Sequence, residues 1–302
     1  RVGKDTGGRP AGARAGAGEA VREGASAIIG PIFAADVTAA SAITQPAGRT
    51  MLAFSTDTTT ARRGGYLLSY TPKEDTRRII GYGVSSGPRS RLAFLPNNAE
   101  GALREAVLRQ EAGARGASVQ IIRYDRSVPS IESAVQQAMP LLATSDAIYI
   151  PEGGEIPNVI LQVMRRGSIN LVGKTILGSG NWETVKFSEP QLEGSFYPGR
   201  DTSQFSEFAS RYQQQYAARP SVWAALGYDA VTLATDLVRR LGSQNAFRPE
   251  SLENPSGFAG INGVFRLRSD GTAERGLAIY QVERGAGKLV APAPGRFGRI
   301  AG

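Results

Sequence analysis

Residues 25–60, ASAIIGPIFAADVTAASAITQPAGRTMLAFSTDTTT, limit the possible folds more than any other stretch of this chain. An apolar run at 25–29 stops at Gly30 and Pro31. Asp36 and Thr38 can cap a helix whose Val37, Ala40 and Ile43 recur at helical spacing as far as Pro46. Residues 51–54 form a second short apolar run, and Ser55, Thr56, Asp57, Thr58, Thr59 and Thr60 follow it. Two parallel strands joined by a crossover helix bring both polar loops to the carboxyl edge of one sheet, where open α/β sheets bind ligands. The loop at Ser55 is therefore the first candidate site.

The rest of the chain continues the pattern. Residues 11–22 read as an Ala-rich helix closed by Gly24, after a strand that ends near Lys4. Pro72 opens a helix with Glu74 and Asp75 in its first turn, where the helix dipole favours acids. A second βα series follows, with strands expected at 91–95, 118–124, 146–150 and 175–177, and helices at 100–111, 131–142 and 156–166. Residues 194–198 read as a return crossing, and 202–216 and 222–241 as helices. The tail differs in kind: apolar runs at 264–267 and 277–282 flank Ser269, Asp270 and Gly271, a hairpin signal. Chain length and a 41% hydrophobic content suffice for two cores.

Composition narrows the chemistry. The sequence has no cysteine, which excludes disulfides and thiolate sites, and no histidine, which removes the commonest general base and metal ligand. We expect no catalytic residue, no cofactor and no metal. The formal charge of +8 comes mostly from scattered arginines, without the compact basic and aromatic patch that tracks nucleic acid. No apolar stretch reaches the roughly 20 residues that span a bilayer.

Three loops carry candidate binding residues. Ser55, Thr56, Asp57, Thr58 and Thr59 supply hydroxyls beside backbone N–H groups, which suits a carboxylate, although the same residue types also cap helices. Glu152 and Glu155 bracket two glycines at a strand end, as a partner for an ammonium group or as solvated loop charges. Trp182, after Gly178 and Gly180, offers either a flat apolar wall for a ligand or a packing residue. Asp57 with Glu152 is the one carboxylate pair worth testing as acid and base, and nothing in the sequence sets their separation.

The runs DTGGRPAGARAGAGEAVREGASAIIGPIFAADVTAAS and GRTMLAFSTD, with ILGSGNWE, LEGSFYPG and YDAVTLATDLVRR further on, resemble the type I periplasmic binding-protein superfamily. The chain is most similar to the branch of leucine/isoleucine/valine-type receptors and penicillin-binding protein activators. This resemblance implies two Rossmann-like lobes joined by three crossovers and closing on a ligand. The expected lobes comprise 1–70 with 199–257 and 73–195 with 263–290, with crossings near 70–72, 196–198 and 258–263. In family receptors a serine from the loop matching residues 33–36 and donors from the loop matching 55–59 hold the ligand carboxylate. Here Ala34 and Ala35 stand in the first loop, Thr59 is kept, and Asn98 replaces a family tyrosine. No acid stands in 179–182 to receive a ligand amine, which weakens the case for a branched-chain amino acid. Family members carry a further strand and helix before the segment matching residues 2–5, so a central strand is expected to be missing from this sequence, along with any signal peptide.

The resemblance implies a non-enzymatic, periplasmic solute-binding protein, with or without a lipid anchor, that delivers a small polar solute to the membrane permease of an ABC transporter. The alternative it implies is an envelope protein that regulates a peptidoglycan synthase by binding a penicillin-binding protein.

Overall fold

The computed structural model describes residues 2–85, 90–203 and 205–297. The chain divides into two compact units: Arg1–Thr71 with Asp201–Gly276 and Pro294–Gly302, and Pro72–Arg200 with Leu277–Ala293. Residues 258–263, expected as a crossing, lie within unit 1.

Unit 1 begins with α1 (Pro10–Arg22), β1 (Ala27–Ile29), α2 (Ala34–Thr44), β2 (Thr50–Ala53) and β3 (Gly65–Leu67). The three strands are parallel in the order β1-β2-β3. Alternation along β2 sends Met51 and Ala53 to a core with Ala17 of α1 and Val37 and Ala40 of α2, and sends Leu52 to the opposite face. The expected strand ending at Lys4 does not form among the described residues: an extended segment becomes a strand only through a ladder, and residues 2–4 have none. Lys4 instead pairs with Glu19 of α1, at 3.1 Å, and with Glu23. β1 is the sheet edge, and among the described residues β2 is its one ladder partner. An apolar groove of about 1240 Å³ runs beside it, lined in part by Ala13, Ile28, Ile29 and Val231.

Unit 2 contains α3 (Pro72–Ser85), β4 (Ser90–Pro96), α4 (Ala99–Gly113), β5 (Ser118–Tyr124), α5 (Val128–Leu142), β6 (Ala147–Tyr149), α6 (Ile156–Arg166), β7 (Thr175–Leu177) and β8 (Phe196–Gly199). Residues 196–198, expected as a return crossing, are part of β8. The chain then re-enters unit 1 as α7 (Phe205–Tyr216), α8 (Val222–Leu241), α9 (Pro249–Leu252), β9 (Phe265–Leu267) and β10 (Ala273–Arg275). It closes in unit 2 with β11 (Ala278–Glu283) and β12 (Ala286–Ala291).

The sheet of unit 2 has seven strands in the order β12-β11-β8-β7-β6-β4-β5, of which β4 to β8 are parallel. Leu92 and Phe94 of β4 pack on α5 and α6, while Ala93 and Leu95 pack on α3 and α4. The connection after β4 leads to β5 at the sheet edge, and the one after β6 leads the other way to β7, so the topological switch lies between β4 and β6.

The expected hairpin of 264–267 with 277–282 is corrected. β9 pairs instead with β10, and β11 pairs with β8 and β12. β10 reads Ala-Glu-Arg, and Glu274 is held by Arg266 and Arg268 at 2.6 and 2.7 Å, so ion pairs rather than apolar alternation define it.

Candidate functional site

In unit 1 the carboxyl edge of the sheet carries the loops after β1 and β2. Ala34 and Ala35 open α2 there, half-buried and exposed respectively, and Asp36 beside them is buried. Ser55 is buried and its Oγ accepts from the Asp57 N–H at 3.1 Å. The Asp57 carboxylate caps a 3-10 turn at Thr58–Thr60 by accepting from both the N–H of Thr59, at 3.0 Å, and its hydroxyl, at 2.7 Å. Thr56, Asp57 and Thr59 are exposed. Both donors expected to meet a ligand carboxylate thus face a carboxylate of the chain itself. Both donors meet a single oxygen of Asp57, as in the cap of a short turn.

In unit 2 the switch between β4 and β6 gathers a dense polar cluster. Asn98 accepts from the Gly101 N–H at 2.9 Å and caps α4, its side chain exposed. Glu152, directly beyond β6, is buried and accepts from the Tyr124 hydroxyl and the exposed Arg126 guanidinium. Burial and the adjacent Glu152 carboxylate push the Tyr124 hydroxyl well above its ordinary pKa. Glu155 is exposed at the start of α6 and accepts from Asn158 at 3.3 Å.

Trp182 is a core residue. It is fully enclosed, its Nε1 donates to the Ile150 carbonyl at 2.8 Å, and its ring lies 5.9 and 6.0 Å from those of Phe187 and Tyr197. The flat wall expected for a ligand is turned into the interior of unit 2.

The structure adds residues that the sequence reading did not single out. Arg104, on α4, donates to Asp75 at 2.6 Å, to Thr76 at 2.9 Å, to Tyr149 at 3.1 Å and to Glu100 at 3.0 Å. Its own burial opposes its charge, but the Asp75 and Glu100 carboxylates outweigh that and hold it ionised. Asn181 donates to Glu100 at 3.0 Å and to the Pro151 carbonyl at 3.2 Å, tying the loop after β7 to α4. Burial pushes the Tyr149 hydroxyl up to about 12, so it remains a neutral hydrogen-bonding group. The one sequence signal for this cluster was the i, i+4 spacing of Glu100 and Arg104 on a helix.

The carboxylates make the two units respond differently to acid. Burial alone would raise Glu105 and Glu111, but Arg123 and Arg109, and Arg77 and Arg115, hold them below the usual 4.5. Both belong to unit 2, and their stabilisation is complete above pH 4.5 and lost as pH falls through their lowered folded values. In unit 1 Glu274 is lowered likewise by Arg268 and Arg266 against its burial, whereas desolvation raises Asp229 above 3.8 despite Arg275. The cost of ionising Asp229 disappears as pH falls, which offsets the loss at Glu274. Amide hydrogen exchange between about pH 5 and 3 is therefore expected to show unit 2 losing protection before unit 1. Equal loss in both units would contradict this assignment.

Comparison with known proteins fixes the class. The family described as "Periplasmic binding protein" matches residues 2–288, and the chain belongs to it. No curated relative matches. Among solved structures, the leucine-binding protein of Thermotoga maritima is 19% identical with a TM-score of 0.65, over 96% of this chain and 86% of that one. A branched-chain amino acid ABC transporter periplasmic ligand-binding protein from Burkholderia xenovorans is 18% identical with a TM-score of 0.74, over 96% and 83%. A solute-binding protein of an ABC transporter from Rhodopseudomonas palustris, in complex with 3,4-dihydroxy benzoic acid, is 17% identical with a TM-score of 0.63, over 98% and 85%. These likenesses establish the two-lobed α/β fold of type I periplasmic binding proteins.

Proposed function

We propose that this chain is the non-enzymatic, extracytoplasmic solute-binding component of an ABC transporter, taking a small carboxylated, amino-acid-like solute and passing it to a membrane permease. The observation that carries this reading is the loop of residues 55–59 at the carboxyl edge of unit 1, where the N–H and hydroxyl of Thr59 already converge on a carboxylate oxygen of Asp57. Family membership supports it, as do fold relatives described as binding leucine or an aromatic acid. A sequence without histidine or cysteine fits binding better than catalysis. The protein would work in the periplasm, with a lipid anchor as one means of holding it at the membrane.

A thermal-shift screen over amino acids, benzoates and their amides tests the proposal, since a ligand that binds only the folded state raises its melting temperature by mass action. For the best carboxylate found, Thr59→Ala is expected to weaken binding by about 1–3 kcal/mol, the scale of a hydrogen bond to a charged group. Asp57→Ala is expected to tighten it, because the competing internal anion is gone. Calorimetry measures both, and unchanged affinity in T59A removes Thr59 from the site. A broad screen without any ligand would favour the regulator of a peptidoglycan synthase instead.

A further inference from the structure

A second polar pocket lies at the amino edge of the unit 1 sheet, the end opposite the loop of residues 55–59. Its volume is about 310 Å³, and it is lined by Ser26, Arg49, Thr50, Ser243, Gln244 and Arg248, with Phe247 and Gly48 completing the wall. Thr50 is the first residue of β2, and its hydroxyl donates to the Phe247 carbonyl at 2.8 Å, fixing the segment after α8 against the strand. No lining residue is acidic.

Two arginines line this small space without a carboxylate partner among the described residues, in a chain whose arginines are otherwise widely engaged in ion pairs. The Nε of Arg49 is buried and has no hydrogen-bond partner. That Nε is closed to a ligand, so an incoming oxygen meets Arg49 at its terminal N–H groups, beside the exposed side chains of Arg248, Ser243 and Gln244. Two forked cations, two serine hydroxyls and an amide suit a group with several acceptor oxygens around one centre.

We infer that this pocket binds a phosphate group, held by Arg49 and Arg248 with Ser26, Ser243 and Gln244 as further donors. The volume of about 310 Å³ admits a phosphate together with an attached group. Inorganic phosphate and the phosphodiester of an anionic lipid headgroup share this chemistry.

Calorimetric titration of the whole chain with sodium phosphate at low ionic strength, with sodium chloride as the control, tests the assignment. Saturable binding at one site is expected. Arg49→Gln and Arg248→Gln should each weaken it about tenfold or more, as loss of a charge-assisted pair implies. Arg49→Lys should restore part of it, and Arg219→Gln, which removes an equal charge elsewhere, should leave it unchanged. Circular dichroism and melting temperature establish that each variant is folded. Flotation with phosphatidylglycerol vesicles, against phosphatidylcholine vesicles, separates the sources: flotation lost in R49Q and R248Q assigns a lipid headgroup, and phosphate binding without flotation assigns the free ion. Phosphate heats equal to those of chloride, or full affinity in folded R49Q, would overturn the inference.

Discussion

Replacing Arg104 by leucine is expected to destabilise unit 2 by about 3–5 kcal/mol, the range for removing one partner of a buried ion pair. The side chain is 1% exposed and its carboxylate partner Asp75 is 11% exposed, so the lost cation leaves an anion that water reaches poorly. Tyr149 and Thr76 lose a donor at the same time. The double variant Arg104→Leu with Asp75→Leu removes the stranded charge as well and should recover much of the loss. Urea unfolding followed by circular dichroism measures the series. A single-variant loss below about 1 kcal/mol would show that Asp75 is rehydrated by local opening, which would make the start of α3 far less rigid than its packing indicates.

Trp182→Ala should cost about 3–5 kcal/mol, the scale of deleting a large aromatic from a packed core. It empties a space enclosed by Phe187 and Tyr197 and leaves the Ile150 carbonyl without its indole donor. Thermal and urea denaturation check the value, and calorimetry with a screened ligand gives the contrast. A residue forming a ligand wall would show the opposite pattern, with stability kept and affinity lost.

The sequence made the βα alternation legible because each short apolar run ends in a turn signal and is followed by a helix with a periodic face. Asn98 at the head of α4 and Gly24 after α1, the latter with a φ of 81°, are local signals read as such. β10 was missed for a physical reason. Its three residues are held by Glu274 with Arg266 and Arg268, an arrangement with no period to detect, so the next apolar run, at 277–282, looked like the hairpin partner.

Site chemistry was legible at the level of residue type and not of direction. The tract at 55–59 announces hydroxyls, yet in the folded loop the Asp57 carboxylate occupies both donors of Thr59. The direction of Trp182 follows from the 3-10 turn of Gly180–Thr184 and from Gly178, where a Cβ would lie 2.1 Å from the indole, a contact that only the tertiary fold reveals. Arg104 is hidden in the sequence because its partners come from α3, α4 and β6, which only the tertiary fold brings together.

The enclosure of Trp182 also makes the chain its own two-channel fluorimeter. Only two tryptophans exist, and each unit has one: Trp182 in unit 2 with no exposure, and Trp223 on α8 of unit 1 with 39% exposure. The first should emit as a shielded indole, deaf to iodide and acrylamide. The second should emit as a wet one and be quenched by both. Chemical denaturation watched at the two ends of the emission band, with Trp223→Phe as the reference, then reports which unit opens first without any attached dye.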